Sequence, residues 1–360
     1  MTVRFRKRLI DRVRYEACAV FDVDNDGALD IVSGEYWYKG PDFSSRYKIC
    51  DVQPVSEWYD DFSDYGLDVD GDGWIDIVTG GWWGQTLRWR QNPHDSGPWQ
   101  VHDIDKCGSI ETIRYYDIDG CGIPEIFPNT PGEAQTFYKL VVDANGKGTG
   151  RFEKFVIGEG VSGHGMGLGD VNGDGRVDVI LSGGWLEQPE GGPFCVPWVF
   201  HPEFSLGSAS VPILVHDVNR DGLPDLIVGQ AHDYGLAWWE QTIGPDGARR
   251  WKKHDIDPYT SQYHDLWLAD IDGDGEPELI TGKRYRAHND GDPGTTDPLC
   301  LYYFDIDGGR FERCVIDHGP AESTAGAGIY FWVQDINGDG RPDIVAPGKS
   351  GLYLFENLGS

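Results

Sequence analysis

Two histidines stand at one offset from two loops of a type that holds cations. His164 lies six residues ahead of Asp170, which opens "DVNGDGRVD", and His264 lies six ahead of Asp270, which opens "DIDGDGEPE". An imidazole carries protons near neutral pH and ligates borderline divalent metals, so a matched pair suits either task. The loop recurs seven times, and the same offset selects Glu16, Phe62, Glu111, His164, Val211, His264 and Ile329. Two histidines and two glutamates among three apolar residues make a candidate site for a second divalent metal, distinct from the loops. Alternatively, either histidine is a candidate general base.

The offset has meaning only if the loops repeat in space. The repeat reads D-x-[DN]-x-D-G-x-x-[DE], then an apolar run and usually Gly. Copies start at Asp22, Asp68, Asp117, Asp170, Asp217, Asp270 and Asp335, the third decayed to "DIDGCGIPEIF". Short runs rich in aromatic and β-branched residues follow each copy, such as "TLRWRQN" then "WQVHDID", and no helical periodicity separates them. Four strands per repeat of roughly 50 residues, seven times over, predict an all-β, seven-bladed β-propeller over residues 1–360 as a single domain. The last repeat stops after three strands, and "VRFRKRLIDR" precedes the first. The N-terminal segment is therefore expected to complete the final blade, hiding two sheet edges.

Carboxylates at loop positions 1, 3, 5 and 9, with Gly at 6, suit calcium, a hard cation that takes several oxygens. The expected ligands are Asp22, Asp24, Asp26 and Asp30; Asp68, Asp70, Asp72 and Asp76; Asp170, Asn172, Asp174 and Asp178; Asp217, Asn219, Asp221 and Asp225; Asp270, Asp272, Asp274 and Glu278; and Asp335, Asn337, Asp339 and Asp343. Strand formers follow each loop, so an ion there is expected to staple a hairpin rather than to act as a sensor. Cys121 stands where the third copy needs an oxygen, and that loop is expected to be empty. Loop positions account for 24 of the 60 acidic residues, so most of the formal charge of −30 is tied to cation sites.

That acidity argues against nucleic acid as a partner. No run of about 18 apolar residues is present, so no membrane span is expected. Seven cysteines without a CxxC pair argue against a disulfide scaffold or zinc ribbon. The start, "MTVRFRKRLIDRV", lacks a signal-peptide apolar core; together with the unpaired cysteines it fits the cytoplasm. The calcium-type loops fit a secreted or periplasmic setting, the alternative if a signal has been removed.

The D-x-D-x-D-G hairpins resemble the FG-GAP/VCBS repeats of integrin-α-type and bacterial propellers across essentially the whole chain. The resemblance implies the propeller fold and calcium in the hairpins. Since one framework hosts many functions, it implies no single activity. "YHDLWLADIDGDGEPELITGKRYRAHNDGDPG" and "GGWLEQPE" are further similar to propellers like that of aldos-2-ulose dehydratase, a sugar-dehydrating lyase. From that second resemblance no residue role is carried over.

In such a blade the start of the first strand and the turn after the second share one face, opposite the Asp loops. The ring positions should therefore meet the longest insertion, "GKRYRAHNDGDPGTTDP". On this basis the candidate catalytic residues are His164, His264, Arg284, Tyr285, Arg286 and His288. The candidate substrate-binding residues are Glu16, Trp37, Trp82, Glu111, Trp185, His232 and Asp233. His102 and His254, on outer strands, are expected to serve the repeat framework. The expected function is a carbon–oxygen lyase performing β-elimination on a keto-sugar or uronate. The alternatives are a non-catalytic, lectin-like carbohydrate-binding propeller and an integrin-like protein-interaction module.

Overall fold

The chain forms seven four-stranded antiparallel sheets. The computed structural model describes residues 2–95 and 97–360, and among them every regular element is a strand. Blade 1 holds Ala19–Phe21, Asp30–Ser33, Tyr36–Tyr38 and Arg46–Lys48; blade 2 holds Ser63–Leu67, Asp76–Gly80, Leu87–Gln91 and Gln100–Asp105. Blade 3 holds Thr112–Tyr116, Glu125–Asn129, Gln135–Val142 and Gly148–Gly158; blade 4 holds Met166–Gly169, Asp178–Leu181, Gly184–Glu187 and Val199–His201. Blade 5 holds Leu214–His216, Asp225–Gly229, Tyr234–Ile243 and Arg249–Ser261; blade 6 holds Tyr263–Ala269, Glu278–Lys283, Leu299–Asp307 and Arg310–Gly319. Blade 7 takes Trp332–Gln334, Asp343–Ala346 and Leu352–Asn357 from the C-terminus and Phe5–Asp11 from the N-terminus. The pairing of Arg6 with Glu356 and Arg8 with Leu354 closes the ring as the sequence predicts.

Apolar side chains on the blade faces have nowhere to go but the neighbouring blade, and they form seven buried clusters, one at each blade–blade boundary. Val69, Val78, Leu87 and Trp89 of blade 2 pack on Ile113, Ile126, Tyr138 and Leu140 of blade 3. Val20, Ile31 and Tyr38 of blade 1 likewise meet Val345, Leu352 and Leu354 of blade 7. At the outer edge, His102, His201 and His254 stack on Trp89, Trp185 and Trp238 with centroids 4.5, 4.3 and 4.4 Å apart. These are third-to-fourth-strand pairs within one blade, the framework role expected of His102 and His254.

Position 9 of the Asp loop is a structural group in its own right. Asp225 is fully buried; one carboxylate oxygen accepts Val218 N at 3.1 Å and the other accepts Gln241 N at 2.7 Å. Asp30, Asp76, Asp178 and Asp343 are buried and engaged in the same way. Each ties the second residue of the loop to the end of the third strand or to the one or two residues that follow it. The side-chain amides of Asn92, Gln241 and Asn357 then reach the loop of the preceding blade, at Val23 O, Val171 O and Ile271 O.

Replacing Asp225 by Ala orphans two buried N–H groups, each worth about 1–3 kcal/mol. Urea unfolding in the presence of a chelator should therefore show Asp225→Ala destabilised by about 2–5 kcal/mol, while Asp221→Ala, on the exposed loop, changes stability by less than about 1 kcal/mol. Equal losses in the two variants would mean that the two hydrogen bonds of the position 9 carboxylate add nothing beyond what an exposed loop carboxylate contributes.

Candidate functional site

Opposite the Asp loops, the starts of the first strands converge. Glu111 immediately precedes Thr112–Tyr116, His164 precedes Met166–Gly169, and His264 is the second residue of Tyr263–Ala269. His232 joins them from the four-residue turn after Asp225–Gly229. One ligating atom from each of Glu111, His164, His232 and His264 lies within 4.8 Å of the other three. His264 Nε2 is 2.8 Å from Glu111 Oε1, and His164 Nε2 is 3.4 Å from the same oxygen.

The hydrogen bonds behind these rings assign their tautomers. His164 Nδ1 lies 2.8 Å from Ala209 O, and His232 Nδ1 lies 3.0 Å from Asp292 Oδ2. A carbonyl and a carboxylate only accept, so both Nδ1 atoms carry hydrogen. Both Nε2 atoms then present lone pairs, and they face each other at 3.0 Å. Two lone pairs at that distance require a proton or a cation between them.

The protonation of the cluster follows from burial and the single carboxylate. Burial lowers His264 to about 3, though Glu111 opposes it, and lowers His232 to about 4 with help from His164. Burial also disfavours charge on His164, but Glu111 outweighs it and holds that imidazole above the ordinary histidine range. Glu111 is buried too, yet His164 and His264 keep its carboxyl well below the usual value.

Above the cluster is a pocket of about 380 Å³, lined by Trp58, Phe62, Trp82, Trp83, Glu111, His164, His232, Arg284, Ala287 and His288. Two departures from the repeat build its walls. The first is the hairpin of Pro54–Val55 and Trp58–Tyr59, between blades 1 and 2. The second is the 15-residue connection after Glu278–Lys283. They meet where Trp58 Nε1 donates to Ala287 O at 2.9 Å and Arg286 pairs with Glu57 at 3.2 Å. Asp60 shapes the neighbouring turn by accepting Trp83 N and Gly84 N at 2.9 and 3.0 Å. Arg284 is held by Glu16 at 2.9 Å and stands 3.8 Å from Glu111. Farther along the first strands Arg114 and Asp265 pair at 2.6 Å. Beyond them a separate cavity of about 890 Å³ is lined by Tyr65, Tyr115, Trp267 and Trp332.

Of the candidate residues, the structure gathers Glu16, Trp82, Glu111, His164, His232, His264, Arg284 and His288 at this mouth. Arg286 stands at its rim, on Glu57 and Asp290. Asp233 instead accepts Tyr234 N in its own turn, and Tyr285 makes no hydrogen bond among the described residues. Trp37 and Trp185 need correction. Both are buried in blade-to-blade cores, Trp37 stacked on Tyr47 and Trp185 on His201. In blades 1 and 4 only two residues separate the second and third strands, so these aromatics fall on the third strand. In blade 2 six residues intervene and carry Trp82 and Trp83 out to the mouth. Trp58 and Asp292 were missed; the aromatic run "SEWYDDF" between two repeats was the available signal for the first.

At the opposite face the Asp loops differ from one another. Lys39 pairs with Asp24 and Asp26 in the first loop, and Lys139 pairs with Asp119 and Glu125 in the third, beside Cys121. The sixth loop brings Asp270, Asp272, Asp274 and Glu278 together, and no ion pair to Lys or Arg engages any of the four among the described residues. Its position 1 carboxylate accepts Gly273 N and Gly275 N at 2.7 and 3.0 Å, the tight turn that Gly at position 6 permits.

Residues 217–281 match the FG-GAP-like repeat family, a stretch running from the fifth Asp loop into the second strand of blade 6. No curated protein matches the chain. Among solved structures, a chain of the BBS1N–ARL6DN complex is 12% identical, with 96% of this chain and 93% of that one covered and a TM-score of 0.50. A lectin of Agrocybe aegerita, described as recognising non-reducing terminal N-acetylglucosamine, is 14% identical over 100% of this chain and 94% of its own, with a TM-score of 0.48. An auxiliary nutrient binding protein from Bacteroides thetaiotaomicron is 9% identical over 81% and 68%, with a TM-score of 0.46. At these identities the likeness is one of fold. With its seven closed blades the chain is a seven-bladed β-propeller, and residues 217–281 within it match the FG-GAP-like repeat.

Proposed function

We propose that the channel mouth is a divalent-metal site for an oxidised sugar and that the protein is a carbon–oxygen lyase, with calcium in the Asp-loop hairpins. One observation carries the metal reading: His164 Nε2 and His232 Nε2 face each other at 3.0 Å while both Nδ1 atoms already donate elsewhere. Imidazoles backed in this way by a carbonyl and a carboxylate are the usual donors to zinc and its neighbours in the first transition row. On this reading His164, His232, His264 and Glu111 are ligands, and the role of base leaves His164 and His264.

The pocket supports the sugar reading. Trp58, Trp82 and Trp83 offer flat apolar faces beside charged groups, the mixture a sugar ring requires. Elimination next to a carbonyl needs an electrophile for the developing enolate oxygen and groups that move protons. A bound divalent ion supplies the Lewis acid. Arg284 adds a fixed positive charge from the same wall. His288 lines the pocket with Nδ1 on Asp292, which leaves Nε2 to exchange a proton with substrate. The aromatic wall equally favours a second reading, a sugar-binding propeller without turnover.

Purified protein loaded with zinc, manganese or cobalt, then offered 1,5-anhydrofructose, glucosone, 3-keto-glycosides or uronate oligosaccharides, is expected to generate the ultraviolet absorbance of a conjugated enone. His232→Ala should lower metal affinity at least about tenfold and abolish that signal. Metal binding without turnover on any substrate, accompanied by glycan binding, would replace the lyase with the sugar-binding propeller.

Metal affinity should also depend on pH. Below its raised pKa, His164 is an imidazolium and cannot ligate, so a proton must leave before metal enters. Affinity is therefore expected to rise with pH by up to about tenfold per unit, levelling off above the ordinary histidine range. Isothermal titration in buffers of different ionisation enthalpy would count the proton released; none released at pH 6 would argue against His164 as a ligand.

Trp58→Ala should raise KM about tenfold while kcat changes less than about threefold, because a stacking wall contributes to ground state and transition state alike.

A further inference from the structure

The 15-residue connection in blade 6 does more than roof the pocket. Its Asp292 places Oδ2 3.0 Å from His232 Nδ1 and Oδ1 2.9 Å from His288 Nδ1. The two imidazoles stack at 4.2 Å with their planes 11° apart, so one carboxylate spans a ring pair. Only 10% of the Asp292 side chain is exposed, and these two histidines are its ion-pair partners among the described residues. His232 itself sits in a turn rather than on a strand, and among the described residues Asp292 Oδ2 is the hydrogen-bond partner of its Nδ1. The ring has two edges that could face the cluster, and the bond to Asp292 decides which one does.

We propose that Asp292 is a positioning residue for the metal site: by accepting Nδ1–H it holds His232 in the tautomer and rotation that aim Nε2 at the cluster. This rests on the metal reading above and extends it to a residue from outside the repeat. A carboxylate behind a ligating imidazole fixes its orientation and raises its basicity, and its loss typically weakens metal binding 10–100-fold. His288 shares the carboxylate and stacks on His232 but is not one of the four ligands, so His288→Phe keeps the stack and leaves the His232 bond in place. The repeat thus supplies Glu111, His164 and His264 from strand starts, whereas the fourth ligand depends on an insertion in the neighbouring blade.

The test loads the intact 360-residue apo-protein with Co²⁺ and measures affinity by chelator competition along with the visible ligand-field spectrum. Asp292→Ala and Asp292→Asn are expected to bind Co²⁺ about 10–100-fold more weakly with altered bands, and His288→Phe, which keeps the stack on His232, within about threefold of wild type. Asp297→Asn serves as a control in the same connection, since Asp297 bonds Tyr234 Oη at 2.6 Å and touches none of the four ligands. Histidine ¹⁵N spectra of the zinc-loaded protein should show His232 protonated at Nδ1 and bound through Nε2 in wild type, and lose that single state in Asp292→Ala. Wild-type affinity and spectrum in Asp292→Ala would overturn the proposal while leaving the metal site standing. An equal loss in Asp297→Asn would overturn it as well, by assigning the effect to the order of the connection. A wild-type protein that binds neither Co²⁺ nor Zn²⁺ at the cluster would remove the metal reading and this inference together.

Discussion

Each blade begins by burying a carboxylate at the ninth loop position, and the rest of the molecule follows from how that charge is accommodated. A buried carboxylate is tolerated only with its lone pairs engaged. In five blades the two oxygens hold one N–H from the loop and one from the end of the third strand or just beyond it, so three strands are fixed relative to one another. In blade 3 a longer Glu125 takes Ile118 N on one oxygen and the ammonium of Lys139 on the other. Fixing the loop end of the first strand also fixes its far end, one strand length away. That is why residues six positions before each loop share a ring, whatever their identity.

Function enters where this regularity fails. Three histidines and one glutamate reach the mouth on ordinary repeat geometry or on a four-residue turn, but a pocket needs walls. Walls come from the 54–59 hairpin and the 284–298 connection, which share no repeat pattern and meet through Trp58 and Ala287. Strand starts and one turn thus present Glu111, His164, His264 and His232, the proposed ligands, while the added segments supply aromatic surface and the carboxylate behind His232. This division matches the general tendency for a scaffold to hold chemistry precisely and for loops to set what is bound.

The fold was legible because it is written seven times. A short motif at steps of 46 to 65 residues permits few architectures, and the three-strand final repeat with a lone N-terminal strand foretells the closure. The candidate site was only half legible. Counting back from the loops brought Glu111, His164 and His264 together, since they sit on strands whose register the repeat dictates. Residues after the second strand were harder, as their position depends on turn length. The two-residue turns of blades 1 and 4 swing Trp37 and Trp185 inward, whereas the longer turns of blades 2 and 5 carry Trp82 and His232 to the mouth. Asp292 could not be found by any period. Its partner is 60 residues away in another blade, and only the folded path of the connection brings them together.

On the proposed reading, the two ends of the channel would sort cations by ligand chemistry. The Asp loops offer carboxylate and backbone oxygen in open turns, which suit calcium and other hard ions. The mouth offers three imidazole nitrogens and one carboxylate in a buried cluster, which suits borderline ions such as zinc. The arrangement also separates their consequences for the fold. A loop whose position 9 acid is already satisfied by backbone N–H groups keeps its turn without an ion, so calcium there would add stability to a preformed hairpin. The mouth cluster is different: without a cation it needs a proton between two opposed Nε2 atoms, and His164, raised by Glu111, is the group placed to hold it. Exchange of that proton for a metal would then be a change of state at the site itself, with the surrounding blades left as they were.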